Sequence, residues 1–175
     1  MKRGVLGAFL VAAWTTAWAA CDRAAEPYTA ETFVMGTKAW VTIAGAGDTA
    51  AAEAAQAVFR EFYRIESVMS TWRETSEISL LNADASGAPR VVSEELFALV
   101  DSSLRYSRAT SGAFDITVRP LVTLWGFQGK GAARIPTAAE IDSARALVGH
   151  GKIALDPAAS TVARPPGMQL DLAGV

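Results

Sequence analysis

Four short segments of the sequence place polar or flexible residues at the ends of apolar runs. They are Met35-Gly36-Thr37, Met69-Ser70-Thr71-Trp72, Ser111–Asp115 and Leu170–Gly174. A ligand at such a position can contact backbone and side chain together, as specific binding sites require. These segments are therefore the candidates for chemistry.

Asp171 is the most informative of these residues, because Leu170 and Leu172 flank it in a run that we predict to be a strand. An acid inside an apolar strand costs several kcal/mol unless it is paired, hydrogen-bonded or metal-bound (about 2–7 kcal/mol for a polar group). We therefore expect Asp171 to contact a ligand or a partner group.

The other segments have two interpretations each. Trp72 is either a core residue or a flat face for ring stacking. Met35 either fills a gap at a bulge or contacts a ligand with its thioether. Asp115 either caps a turn or accepts hydrogen bonds from a ligand. His150, between two glycines, is expected to be an exposed loop residue with no assigned role.

Composition excludes several classes of protein. The 175 residues contain 16 Lys and Arg, 18 Asp and Glu, one Cys and one His, with a net charge of −2. A nucleic-acid binder needs a basic surface, which this balance does not provide. Single Cys and His residues exclude an internal disulfide and a zinc finger.

The N-terminus has the layout of an export signal. Lys2 and Arg3 precede an apolar run, and small residues lead to Cys21, so residues 1–20 are predicted to be a signal peptide. Cleavage after Ala17-Trp18-Ala19 would give simple secretion. We favour acylation of Cys21, because an exported protein rarely keeps one free thiol.

Acylation predicts an inner-membrane lipoprotein that faces the periplasm, since Asp22 resembles an inner-membrane retention signal. Residues 21–31 are then a lipid-anchored tether, and residues 32–175 form the domain.

Periodicity in residues 32–175 predicts a mixture of strands and helices. Alternating residues predict a strand over Thr32–Ala44, interrupted at Met35–Thr37. Apolar side chains at helical spacing predict helices from Thr49 to Met69 and after Ser93, and a capping box at Thr137 and Glu140 begins a third. The apolar stripes are Val58, Phe62, Ile65 and Met69, then Leu96, Leu99, Val100 and Leu104, then Ile141, Ala144 and Val148.

The remaining elements complete an α+β fold. Residues 152–156 and 161–164 are predicted to form a hairpin, and Met168–Leu172 a further strand before a glycine turn. Because strands and helices do not alternate regularly, we expect a mixed or antiparallel sheet with packed helices. The sequence ends on the apolar Val175, within a predicted unit of a strand and a turn. We therefore expect residues 32–175 to be the N-terminal portion of a longer domain.

Taken in order, the four segments resemble the ApbE family, the FAD:protein FMN transferases. Supporting stretches are Ser76–Asn82 and Pro120–Phe127, and the resemblance runs from Phe33 to Val175.

The resemblance implies a fold related to the T-fold. It also implies that the protein binds FAD and uses Mg²⁺. It also implies cleavage of the FAD diphosphate and attachment of FMN, through its phosphate, to a Thr or Ser hydroxyl of a partner protein. A membrane flavoprotein subunit of a redox-driven ion pump or electron-transport complex is the expected acceptor. Alternatives are an FAD pyrophosphatase, a non-catalytic flavin-binding lipoprotein, and a structural lipoprotein in which the four segments are only core.

The resemblance also assigns roles to residues, although it identifies no catalytic residue. Trp72 stands where the family usually has Tyr, and Gly174 falls on a metal position where only its backbone carbonyl can serve. The residues expected to contact FAD are Met35, Trp72, Ala113, Phe114, Asp115 and Asp171.

Overall fold

A computed structural model describes residues 26–127 and 134–175 of the chain. The predicted signal peptide and Cys21 lie outside the described residues. Within the described ranges, no helix combines the length and the apolar character that crossing a bilayer would require.

A two-stranded sheet comes first. Strand β1 (Tyr28–Val34) and strand β2 (Thr37–Ile43) flank a two-residue turn at Met35 and Gly36. The predicted interruption is thus the turn of a hairpin. β1 begins four residues before the predicted strand, inside the predicted tether, because its exposed and half-buried residues already alternate from Tyr28.

The long helix α1 (Asp48–Met69) follows, as predicted. Its buried positions are Ala51, Ala55 and Phe59, each four residues apart. The predicted stripe of larger side chains, such as Phe62 and Ile65, is only half-buried. The sequence pattern overlooked the two alanines because a small side chain is fully buried only where a neighbouring element approaches the helix closely.

The described chain forms two compact units. The smaller takes in the described parts of Met1–Glu31 and Trp40–Val58, and the larger takes in Thr32–Ala39 and Phe59–Val175. In the smaller unit, a 3.0 Å hydrogen bond joins the hydroxyls of Thr29 and Thr42 across the hairpin. All the predicted site residues within the described chain belong to the larger unit.

The larger unit mixes short strands with helices, as predicted for an α+β fold. A three-stranded antiparallel sheet has the order β3-β5-β4, and Val162 of β5 pairs with Arg90 and Leu155. Its elements are helix α2 (Glu77–Ala83), strand β3 (Arg90–Val91), helix α3 (Glu94–Ala109), helix α4 (Arg119–Leu124), helix α5 (Ala138–Arg145), a 3₁₀ turn (His150–Lys152), strand β4 (Ala154–Asp156) and strand β5 (Thr161–Ala163).

Both predicted helix starts are confirmed. The Ser93 hydroxyl caps α3 by accepting from Leu96 N at 3.2 Å. Thr137 and Glu140 form the predicted capping box of α5. That helix ends earlier than expected, and the Lys152 ammonium donates to the carbonyls of Ala146 and Val148 just beyond it.

One hydrophobic core organises the larger unit. Its buried members come from α2, α3, strand β5, the residues next to β3 and α4, and the last described segment. They are Ile78, Leu81, Val92, Leu96, Val100, Leu104, Ile116, Val162, Leu170 and Leu172. Burial of this apolar surface is the main source of stability for the fold. Leu170 and Leu172 therefore attach the last described segment to the core.

The prediction of a strand at Met168–Leu172 is wrong. Its backbone groups bond to other partners: the Asn82 amide donates to Leu170 O at 2.8 Å and accepts from Leu170 N at 2.7 Å. Arg164 donates to Met168 O, and Asp171 N donates to Ile116 O at 2.7 Å. Because these groups satisfy the backbone, the segment needs no neighbouring strand and belongs to neither described sheet.

Replacement of Asn82 by Ala should lower the free energy of unfolding by about 2–6 kcal/mol. The change leaves a buried N–H and a buried C=O of Leu170 without partners, at about 1–3 kcal/mol each. Urea unfolding followed by tryptophan fluorescence measures the loss. Gln56→Ala, which removes an exposed amide on α1, is the control, and equal midpoints for the two variants would contradict this role of Asn82.

Candidate functional site

An open pocket of about 240 Å³ lies in the larger unit. It brings residues of three predicted segments together: Met35, Trp72 and the Leu172-Ala173 pair. Its lining comprises Met35, Ile65, Met69, Ser70, Thr71, Trp72, Leu99, Leu172, Ala173 and Val175. Most of these side chains are apolar, as is usual for ligand pockets.

Met35 reaches the pocket from a strained turn. Met35 and Gly36 have φ angles of 52° and 74°, and positive φ at both central residues is typical of a type I′ hairpin turn, for which Asn-Gly is the preferred sequence. A non-glycine residue in this region costs roughly 1–2 kcal/mol. Glu66 Oε1 on α1 accepts a 2.7 Å hydrogen bond from Met35 N and holds the turn.

Trp72 follows the end of α1 and is 60% exposed, so the core interpretation of this residue is wrong. Ser70 holds the turn that presents it. The Ser70 hydroxyl accepts from Trp72 N at 3.3 Å, and Ser70 O accepts from the Ser76 hydroxyl at 2.7 Å. The indole therefore offers an accessible flat surface beside the pocket.

Asp171 is buried directly before the Leu172-Ala173 wall and is not a strand residue. Its Oδ1 accepts a 2.9 Å hydrogen bond from Ala173 N. Its Oδ2 lies 4.0 Å from Nη1 of Arg119, and its side chain is 8% exposed. The carboxylate thus shapes the turn that forms one wall, with a cation beside it.

Arg119, the first residue of α4, was missed by the sequence analysis. Its Nη2 donates to Thr71 O at 3.4 Å, while the buried Nη1 has no hydrogen-bond partner. Burial lowers the pKa of Arg119, and the Asp171 charge opposes this. The sequence contained one signal for this residue: it is a single charged residue, between Val118 and Pro120, in a largely apolar stretch.

Asp115 is engaged in internal hydrogen bonds. Its Oδ1 accepts from Thr117 N at 2.8 Å and from Thr117 Oγ1 at 2.6 Å, and Oδ2 accepts from His150 N at 2.9 Å. Burial acts to raise the pKa of Asp115, but these hydrogen bonds outweigh it and lower the pKa. The carboxylate therefore joins the start of α4 to the loop at His150.

His150 is not the exposed loop residue expected from its flanking glycines. It begins the 3₁₀ turn, is half-buried, and has Nδ1 3.3 Å from Asp115 Oδ2. Phe114 packs on the core, and Ala113 is exposed. None of residues 113–115 lines the pocket, so their predicted contacts with FAD remain predictions.

Gly174 lies in the turn closed by a 3.2 Å hydrogen bond from Val175 N to Leu172 O. In the ranges 26–127 and 134–175, no cluster of three or more His, Cys, Asp or Glu residues could hold a metal ion. Magnesium requires near-octahedral oxygen ligands, and Asp171 with neighbouring carbonyls does not complete such a set. The metal role of Gly174 also remains a prediction.

Comparison with known proteins identifies a family that matches this chain. Residues 35–175 match the model of the ApbE family. A protein of Salmonella typhimurium named FAD:protein FMN transferase is 38% identical over 137 residues, which cover 74% of this chain and 39% of that protein.

Solved structures agree with the fold. The flavin transferase ApbE of Vibrio cholerae superposes with a TM-score of 0.75 at 28% identity, covering 84% of this chain and 48% of that one. The ApbE protein of Thermotoga maritima gives 0.78 at 27% identity, covering 86% and 48%. The chain thus spans less than half the length of these relatives, and its predicted ApbE-like fold is confirmed.

The strained turn leads to a prediction about Met35. Met35→Asn should raise the free energy of unfolding by about 0.5–1 kcal/mol, because Asn tolerates the left-handed backbone that Met adopts at a cost. Thermal unfolding measures the gain. Met35→Leu keeps the strain and is the control; a Met35→Asn protein no more stable than Met35→Leu would show that the turn holds no such cost.

Proposed function

The chain belongs to the ApbE family, and we propose that it is the flavin-binding part of an FAD:protein FMN transferase. The observation that carries the proposal is the pocket in which Met35 and Trp72, 37 residues apart in sequence, line one partly exposed apolar surface. A thioether and an indole are suitable contacts for a flat aromatic ring system.

The size of the pocket supports binding of a part of FAD. Pockets for drug-sized ligands measure about 300–1,000 Å³, and this one is about 240 Å³ and open to solvent. We infer that it receives the isoalloxazine ring, while the diphosphate and adenosine extend beyond the lining residues.

The proposed reaction is a phosphoryl transfer. A Thr or Ser hydroxyl oxygen of the acceptor forms a bond to the FMN phosphorus of FAD. The bond from that phosphorus to the bridging oxygen breaks, AMP leaves with the electron pair, and the hydroxyl proton passes to solvent. Positioning of FAD is the main task of a protein in such a reaction, and the pocket residues would perform it.

Magnesium is part of the proposal through the family resemblance alone. The described residues do not form a magnesium site, because they hold no cluster of three or more His, Cys, Asp or Glu residues, and Asp171 lies beside the positive charge of Arg119. None of the proposed steps of bond formation, bond breakage and proton release is assigned to the ion. We propose that the acceptor is a membrane flavoprotein subunit of a redox-driven ion pump or electron-transport complex.

Titration with FAD in the presence of Mg²⁺ tests the proposal. The full-length protein should bind FAD, and Trp72→Ala should weaken binding by about 1–3 kcal/mol, the range for loss of base–aromatic stacking. Trp40→Ala is the matched control, since Trp40 is 70% exposed and does not line the pocket. No binding by the unmodified protein would refute the function, and equal affinities of the two variants would refute the role of Trp72.

The products separate the transferase from its alternatives. Covalent FMN on an acceptor protein together with released AMP supports the transferase. Release of FMN and AMP with no labelled acceptor supports the pyrophosphatase, and binding without cleavage supports a flavin carrier.

We also propose that the protein is an inner-membrane lipoprotein facing the periplasm, anchored through Cys21. Each buried methylene of an acyl chain contributes about 0.8 kcal/mol to membrane binding. Cys21→Ser should therefore move the protein from the membrane fraction to the soluble periplasmic fraction. Retention of the Cys21→Ser protein in membranes after a salt wash would exclude acylation as the anchor.

A further inference from the structure

Two turns contribute residues to the pocket lining. The first, Ser70–Trp72, follows α1, and the second, Leu172–Val175, ends the described chain. A ring bound between them would need both turns at a fixed separation, because misplacement by about 1 Å costs up to 100-fold in a reaction.

Arg119 reaches both turns from behind the lining. Its Nη2 donates to Thr71 O in the first turn at 3.4 Å. Its Nη1 lies 4.0 Å from Oδ2 of Asp171, and Asp171 Oδ1 accepts from Ala173 N of the second turn at 2.9 Å. One guanidinium thus connects the carbonyl beside Trp72 to the carboxylate that orders Ala173.

The burial of Arg119 argues for this role over a direct contact with ligand. Its side chain is 17% exposed, its Nη1 is inaccessible to solvent, and it is not among the lining residues. Burial of a cation is costly and is tolerated where the geometry of paired groups offsets the cost. Arginine suits such a position because its planar fork presents donors in two directions, which lysine does not.

We propose that Arg119 is a positioning residue that sets the separation of the two turns for flavin binding. The proposal rests on the proposed function for its effect on FAD. Its effect on the two turns does not depend on any ligand.

Hydrogen exchange and FAD titration of the full-length protein test it together. Arg119→Gln should speed amide exchange by about tenfold at residues 71–73 and 173–175, with smaller changes in α2 and α3. The same variant should bind FAD about tenfold more weakly, and Arg119→Lys should fall between it and the unmodified protein. Arg105→Gln is the control, since Arg105 is exposed and pairs with Asp101 at 3.3 Å.

A double mutant shows whether Arg119 acts through Asp171. Asp171→Asn keeps the shape of the side chain but removes its charge, so Arg119→Gln should have a smaller effect on FAD affinity in that background. Contacting groups are coupled in this way, whereas independent ones are additive. Full additivity would overturn the connection.

The remaining outcomes are also decisive. Exchange or FAD affinity of Arg119→Gln equal to that of Arg105→Gln would overturn the positioning role, and so would exchange raised evenly through the protein. If Arg119→Gln does not fold, Arg119→Lys provides the test, and its behaving as the unmodified protein in both assays would overturn the proposal. Absence of FAD binding by the unmodified protein would refute the proposed function, while exchange still decides the connection between the turns.

Discussion

The site depends on one segment, Met168–Val175, that is held by side-chain and backbone groups from distant parts of the chain. Asn82 bonds both backbone groups of Leu170, Arg164 bonds Met168 O, and the carbonyl of Ile116 accepts from Asp171 N. Leu170 is fully buried, so each of these backbone groups would be costly without a partner. The same contacts fix the turn at Leu172 and Ala173, and with it one wall of the pocket. Stability of the core and shape of the pocket are therefore set together.

The charged groups near the pocket serve the protein's own geometry. Asp115 bonds Thr117 and His150, and Asp171 bonds Ala173. Both carboxylates thus accept hydrogen bonds from within the protein, whereas Met35 and Trp72 stay accessible. The lining of the pocket is mainly apolar, and its most unusual features are the strained turn at Met35 and the exposed indole of Trp72. Strain and exposure that packing does not require are common at binding sites.

Family membership agrees with this picture and also limits it. The chain covers less than half of the related structures, and the role proposed for its pocket is to bind the ring system of FAD. The described residues include no cluster of His, Cys, Asp or Glu that could hold a metal ion. The family resemblance assigned no role to Arg119 or His150, which contact Asp171 and Asp115 respectively.

Local patterns were sufficient to predict much of the fold. The capping box at Thr137, the cap at Ser93 and the period of α1 depend on neighbours within a few residues, so the sequence alone determined them. The interruption of the strand at Met35 and the resemblance of the four ordered segments to the ApbE family were also evident from the sequence. The contacts of Asp115 with His150 and of Leu170 with Asn82 were not, because these partners lie 35 and 88 residues away. Only the tertiary structure decided that Met168–Leu172 is no strand, that Trp72 is exposed, and that Arg119 lies between two turns, since burial and pairing arise where distant segments meet.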